Sequence, residues 1–487
     1  MTAAELVAAI RWHAPVIAAL APLLVAVFAG RGGRFAGAIG VSIFAIAILI
    51  MFDGAARSIN AGGHTLSFGG EGPAGAELVM DGLSATGALA ILIVAALCWA
   101  PALVWARAEL APSRRSGVLS LALIALAALI GAVFCKQLIS AWILIQVASI
   151  GAVAVCASAV ALDRRALSGA MGSLITLGAC AGLFAIGAVM AQSAAKLNGA
   201  SAGAGFALMG FSALAWAGAA PGLIWTVAGF GRGAFVGALL LGPAFAIVGI
   251  SLTARVLAQA QALSHIAPLL YLAVGAAGAL GVVVSALRAA GAQCLRRLTF
   301  YALGVQAGIA AIGWALGENG AGAGLLHLGH GVAVALCMTG GCGVIMGGRG
   351  AGAVAIERLD GLSSRAPMAS AALALALLAL VAPPFTAPFF TKWLIMEAAM
   401  DRGWPWATLA LVFASLAGVL VAGRVIERIY FHEPIAQATP APGRMGWAHA
   451  PAMAVGMVWL LVWGIGTTRA LAVTQAIAGE FFGALTP

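Results

Sequence analysis

"LALVAPPFTAPFFTKWLIMEAAM", residues 378–400, sets three prolines and a lysine inside an otherwise apolar run of helical length. Proline withholds a backbone donor and lysine is costly in hydrocarbon, so each needs a local reason. The rest of the chain makes the hydrocarbon setting firm. Its 487 residues are 63% hydrophobic and 8% charged, with a mean hydropathy of +1.08. Apolar stretches of about 20 residues recur from end to end, the length that crosses a bilayer as a helix. They are continuously apolar and do not alternate, which disfavours a membrane β-barrel. The expected fold class is therefore an all-α polytopic membrane protein.

About 14 spans follow from the hydropathy pattern, at 14–30, 35–52, 82–106, 116–134, 137–162, 167–191, 205–228, 233–255, 266–287, 298–316, 322–347, 367–390, 404–424 and 447–468. A short amphipathic tail runs to Pro487. The first span reads as retained, since "MTAAELVAAIRWHAPV" carries an early acid and no small-residue cleavage pattern. The one sizeable polar connection is residues 53–81, where "GGHTLSFGG" suggests a hairpin-like loop. No stretch is long enough for a soluble domain, so nucleotide, flavin or iron–sulfur chemistry would have to belong to partners. A single transmembrane domain divides into N-terminal helices and loop (1–110), a first unit (111–290), a second (291–430), and a C-terminal helix and tail (431–487).

The net charge of +10 does not point to nucleic acid. Arginines sit in short loops, as in the pairs Arg114/Arg115 and Arg296/Arg297, the pattern left by charge control of topology. Seven cysteines lie mostly within spans and form no C-x-x-C pair, so they read as small packing residues and no metal or cofactor is expected. The 65 glycines suit close helix–helix packing.

Two stretches read as broken helices. One holds Pro221, the Gly-rich "GFGRG" and Pro243; the other is the stretch quoted above, with Pro383, Pro384 and Pro388. Interrupted spans at matching places in two halves mark inverted repeats and an ion pathway, whereas packing alone also tolerates Gly and Pro. Ionisable groups inside spans are few. Lys392 lies in the second break with Glu397 five residues on, and His327 and His330 share one helix face. Lys136, Gln137 and Gln146 belong to "CKQLISAWILIQVAS". The bland alternatives are snorkelling for Lys392, hydrogen-bonded packing for the histidines and a helix–helix bond for Gln146.

Four segments in order resemble a known family. "FGGEGPAGAELVMDGLSA" (68–85) resembles its Gly-Gly-Trp-x-x-Pro-x-Gly-Ile…Asp-x-Leu-Ser segment. "CLRRLTFYALGVQAG" (294–308) and "HLGHGVAVALCMTGG" (327–341) resemble its Asp-x-Lys-Arg-x-x-Ala-Tyr-Ser-Ser segment and its His-containing helix. The broken stretch resembles its Gly-x-Pro-Pro-x-x-Gly-Phe-x-x-Lys, with Pro384, Phe389 and Lys392 in matching places. The family is that of the antiporter-like, proton-conducting membrane subunits of complex I, membrane hydrogenases and Mrp antiporters, the early segment being nearest to the Mrp type. The resemblance implies 14 helices with two inverted five-helix repeats, each containing a broken helix, and a proton path along a central hydrophilic axis.

Carried over position by position, the resemblance also exposes losses. The family's helix-borne Asp and Glu fall on Gln137 and Gln146, and its first broken-helix Lys falls on Ile247, counting back from Arg255. Leu223 stands where a His is expected, and Val334 where a Lys often follows the central His. His330, His327 and Lys392 keep titratable groups. Losing a Glu and its Lys together is cheaper than stranding either in the membrane. The resemblance thus implies a membrane-arm subunit of a multisubunit proton- or cation-translocating, complex I-like assembly with a degenerate N-terminal half-channel. It would be multi-pass in a bacterial inner membrane, partnered by homologous and small membrane subunits, lipid and soluble redox subunits. The alternatives are an intact Mrp-type cation/proton antiporter subunit, a non-conducting anchor for a soluble partner, and a self-sufficient secondary transporter.

Overall fold

The computed structural model describes residues 3–29, 34–68, 76–159, 164–192, 199–261, 267–347, 354–384, 386–434 and 444–483. The N-terminal part holds α1 (Ala3–Ala18), α2 (Ala21–Ala29), α3 (Arg34–Ala61), a hairpin of β1 (His64–Phe68) and β2 (Ala76–Met80), and α4 (Gly82–Glu109). Next come α5 (Arg115–Phe134), α6 (Leu138–Ala157), α7 (Arg164–Gln192), α8 (Gly199–Trp216), α9 (Leu223–Gly229), α10 (Phe235–Leu240) and α11 (Gly242–Ala260). The second half runs through α12 (Ala267–Ala290), α13 (Leu295–Ala315), α14 (Glu318–Met346), α15 (Leu362–Arg365), α16 (Pro367–Val381), α17 (Ala387–Asp401) and α18 (Pro405–Phe431). Two C-terminal helices, α19 (Arg444–Ile465) and α20 (Thr467–Gly483), close the chain.

Among the described residues, 12 helical segments are long and apolar enough to cross a membrane. Two shorter apolar helices, within α8 (Ser201–Trp216) and α16 (Pro367–Val381), stand beside them. The protein is an all-α polytopic membrane protein. α11, α13 and α14 form its centre, with 89–94% of their span windows buried, while α3, α7 and α19 bury only 28–33%. Ile175, Leu409 and Leu420 are exposed on the outer face of the bundle.

Small residues set the closeness of the central pair. A methyl added at Gly313 of α13 would come within 2.6 Å of the Gly324 Cα on α14, so only glycine permits this approach. The start of α4 is fixed by Asp81, whose Oδ1 accepts from the Ser84 N–H at 2.7 Å while the Asp81 N–H donates to Ser84 Oγ at 2.9 Å.

The hairpin expected in 53–81 is present, pairing His64 with Met80 through Phe68 with Ala76; its connecting residues lie outside the described ones, as does most of the glycine-rich part of the 68–85 segment. Residues 53–61, expected in the loop, instead prolong α3. Asp53 and Arg57 bond one turn apart at 2.9 Å, so the charges that suggested a span end stabilise a helical continuation. The tail is also more than a tail. α20 buries Ile477, Ala478 and Phe482 against the bundle, with Phe481 edge-on to Trp314.

Both broken stretches are interrupted where expected. In the first, turns at 217–222 and 230–234 separate α8, α9 and α10, and Pro243 occupies the second position of α11. There its missing N–H removes nothing from the helical ladder. In the second, Ala382 ends α16 in the left-handed region at φ 58°, Pro383 and Pro384 follow, and Pro388 is the second residue of α17. A non-glycine residue at positive φ stores about 1–2 kcal/mol, which places local strain at the break.

Candidate functional site

The second break explains its own lysine. A helical carbonyl bonds the N–H four residues on, so Pro383 and Pro384 leave the carbonyls of Ala379 and Leu380 without that donor. The Lys392 Nζ supplies one, donating to the Leu380 oxygen at 2.6 Å and to Ser415 Oγ of α18 at 3.0 Å. Gly418 makes room, since a methyl there would meet the Leu380 carbonyl carbon at 3.0 Å. Lys392 is buried, with 3% of its surface exposed, and does not snorkel.

One residue earlier, Thr391 links the break to the histidines. Its hydroxyl lies 2.8 Å from His327 Nδ1, and His327 Nε2 lies 2.8 Å from Gln306 Oε1 on α13. Gln306 Oε1 accepts only, so the His327 Nε2 carries hydrogen and the neutral ring accepts the Thr391 O–H at Nδ1. Thr391 has a second acceptor, the Pro388 carbonyl at 3.1 Å. When His327 takes a proton on Nδ1, the hydroxyl turns to Pro388 and accepts from the ring. The Gln306–His327–Thr391 line thus satisfies both charge states of the imidazole.

His330 stands one turn on, with its ring centroid 6.1 Å from that of His327. The Trp459 Nε1 donates to its Nδ1 at 3.1 Å, which puts the proton of the neutral ring on Nε2. That nitrogen and the Gln306 Nε2 are buried without a protein partner among the described residues. Buried polar groups of this kind are ordinarily completed by water. His327, His330, Gln306, Thr391 and Lys392 are all buried, so α13, α14 and α17 enclose a polar line in the middle of the bundle.

The remaining expected positions stand apart. Glu397 is exposed on the outer face of α17. Gln137 ends the loop before α6, bonded by Ser140, and Gln146 is half-buried with one long contact, 3.5 Å, to the Trp142 carbonyl. Lys136 pairs with Glu77 at 3.0 Å on the surface. Val334 is fully buried among apolar neighbours. Ile247 lies in the second turn of α11 and not at a break. It lines a cavity of about 370 Å³ walled chiefly by apolar atoms, with Leu325, Trp459 and Val473 among its neighbours. Among the described residues, no carboxylate borders that cavity.

A second cavity of about 670 Å³ opens at the far end of α11. Arg255 there grips Asp81 with two nitrogens at 3.1 Å each, and Lys136, Gln259 and Glu480 complete the rim. Partial burial pushes the Glu480 carboxyl above its ordinary range, and the neighbouring Asp81 carboxylate pushes it further.

Gln306, Thr391, Ser415 and Trp459 are not singled out by sequence reasoning, although Gln306 and Thr391 lie inside segments quoted above. A lone carboxamide in an apolar span is the signal that could have found it.

Residues 136–418 match the family described as NADH:quinone oxidoreductase/Mrp antiporter, TM. The chain belongs to that family. As a member of it, the chain is 37% identical over 131 residues to NADH-quinone oxidoreductase subunit N 1 of Sorangium cellulosum (strain So ce56), covering 27% of this chain and 26% of that protein. It is 30% identical over 190 residues to NADH-quinone oxidoreductase subunit N of Halorhodospira halophila (strain DSM 244 / SL1), covering 38% and 39% respectively. The chain therefore spans well under half the length of these curated relatives in the matched stretches. The likeness in fold is far more extensive. A chain of the membrane-bound sulfane sulfur reductase, an archaeal respiratory membrane complex, superposes with a TM-score of 0.82 at 22% identity over 98% of both chains. A chain of the Mrp complex from Dietzia sp. DQ12-45-1b gives 0.82 at 18% identity over 98% of both. One from respiratory complex I of Thermus thermophilus gives 0.71 at 20% identity over 95% of this chain and 98% of that one.

Proposed function

We propose that this family member is a membrane-arm subunit of a multisubunit, complex I-like ion-translocating assembly in a bacterial inner membrane, and that it moves protons through its second half. The observation that carries the reading is the buried line Gln306–His327–Thr391 beside Lys392, where both states of an imidazole find partners. His327 and His330 would serve as the central relay. Lys392 would be the terminal group, holding a proton against the freed Leu380 carbonyl and releasing it by turning away. Glu397, on the outer face, would act only after that release.

The first half supports no matching route at the expected positions. Gln137 and Gln146 accept and donate hydrogen bonds without titrating, and Ile247 faces an apolar cavity in which an unpaired ammonium would be costly. Its neighbours in such an assembly would be other membrane subunits, with redox chemistry supplied by soluble ones.

The test is proton uptake into proteoliposomes holding the whole complex. Lys392→Ala and His330→Ala should each abolish uptake attributable to this subunit. Unchanged uptake in both variants would leave a structural anchor as the better description.

A further inference from the structure

A second buried titratable cluster lies outside the line just described, at the turn that leads into α10. Glu109, the last residue of α4, is 4% exposed, and its Oε2 accepts the Phe235 N–H at 2.6 Å. Arg296, in the first turn of α13, is 1% exposed and donates through Nη2 to the Gly233 carbonyl at 2.6 Å. Its guanidinium stacks 5.0 Å from the Phe235 ring centroid. His449 of α19 is fully buried beside the same ring, at 6.5 Å between centroids, with its Nε2 accepting from Trp105 Nε1 at 3.0 Å. Trp105 and Glu109 are one helical turn apart, so carboxylate and imidazole gather around the same aromatic residue.

At least half of each group's bonding capacity is unused. Glu109 Oε1, Arg296 Nε and Nη1, and His449 Nδ1 are all buried without a protein partner among the described residues. Other groups near enough to act on this charge pair are the thiols of Cys156, Cys294 and Cys342. Glu109 and Arg296 make no direct salt bridge, and two buried charges left without direct ionic partners in this way are costly unless water or a bound proton completes them. The position adds a direction. Arg296, Thr299 and Gln306 fall on one stripe of α13, and ten residues of helix put the cluster about 15 Å from the His327 line.

We infer that Glu109, Arg296 and His449 form a water-filled proton-exchange site that feeds the His327 line along α13, in place of the carboxylate missing at Gln146. Water bridges the free carboxylate oxygen to the guanidinium, and the exchangeable proton is held on Glu109 Oε1. The neutral His449 ring carries its own proton on Nδ1, because Nε2 accepts from Trp105, and donates from there to that water. The feeding role rests on the second-half reading above; the existence of the site does not.

Glu109→Gln isolates the claim, because the amide oxygen still accepts the Phe235 N–H and preserves the turn. pH-difference infrared spectroscopy of the reconstituted complex should show a protonated-carboxyl band that Glu109→Gln deletes. Proton uptake should fall in the same variant while its thermal unfolding stays at the wild-type temperature, and Glu109→Asp should recover part of both signals. A carboxyl spectrum and an uptake rate unchanged by Glu109→Gln would overturn the site. If the band is lost in Glu109→Gln but Lys392→Ala conducts normally, the exchange site stands and the second-half relay falls.

Discussion

Replacing Lys392 by methionine separates what the lysine does for the fold from what it does for protons. The side chains are similar in volume, so no cavity opens. The substitution removes two charge-assisted hydrogen bonds, to the Leu380 carbonyl at 2.6 Å and Ser415 Oγ at 3.0 Å. At about 1.5–3 kcal/mol each, the loss is roughly 3–6 kcal/mol. It also removes the desolvation penalty of a buried ammonium, several kcal/mol after relaxation. Ser415 can turn its hydroxyl to its own helix, but the Leu380 oxygen has no such recourse, because residue 384 is proline. These terms oppose one another and leave a net change of about 2 kcal/mol or less. Lys392→Ala adds a cavity and should lose a further 2–5 kcal/mol or so. The assay pairs thermal unfolding of the detergent-solubilised complex with proton uptake into proteoliposomes. Lys392→Met should unfold near the wild-type temperature and conduct nothing. Wild-type uptake by the methionine variant would refute the relay role, and destabilisation equal to that of alanine would make the lysine a structural strut.

Three further outcomes are expected elsewhere in the molecule. Asp81→Ala removes the α4 cap and strands Arg255, which is 8% exposed, so the complex should lose about 3–5 kcal/mol, measured by denaturant unfolding in micelles. Ile247→Lys places an ammonium in an apolar cavity with no carboxylate on its wall; it should lower expression and destabilise the complex by several kcal/mol in thermal unfolding. Gln146→Glu in the same chain should not restore stability, and restoration would show that the two side chains reach each other. The raised Glu480 carboxyl gives a pH signature. Its folded value exceeds its unfolded one, so its contribution to α20 docking is full below about pH 4.3 and is lost as pH rises through the folded value. Hydrogen exchange in α20 should quicken over that rise, and Glu480→Gln should flatten the response.

Much of the architecture is legible in the sequence because hydrocarbon imposes a simple grammar. The all-α polytopic class, both breaks and the family follow from apolar run length, proline placement and four ordered segments. Of the roughly 14 expected spans, 12 are long and apolar enough to cross among the described residues. The prolines and Lys392 prove to be one device, in which the former free a carbonyl and the latter binds it. The misread boundaries come from charges with local partners. Asp53 and Arg57 look like a span end but bond to each other within α3. The sites that escape sequence reasoning are those assembled across the chain. Gln306 meets His327 and Thr391 from different helices, and Glu109 meets the Arg296 and His449 neighbourhood through a turn at 233–235. No single segment announces such meetings, because each residue alone is an ordinary polar group at or within a span.

The central claim is asymmetry: protons pass the titratable line of the second half and do not use the amide positions of the first. The direct measurement is proton uptake by the reconstituted complex with Gln146→Ala, set beside Lys392→Ala in the same preparation. Uptake should be retained in the first variant and lost in the second. Uptake abolished by Gln146→Ala and spared by Lys392→Ala would contradict the asymmetry.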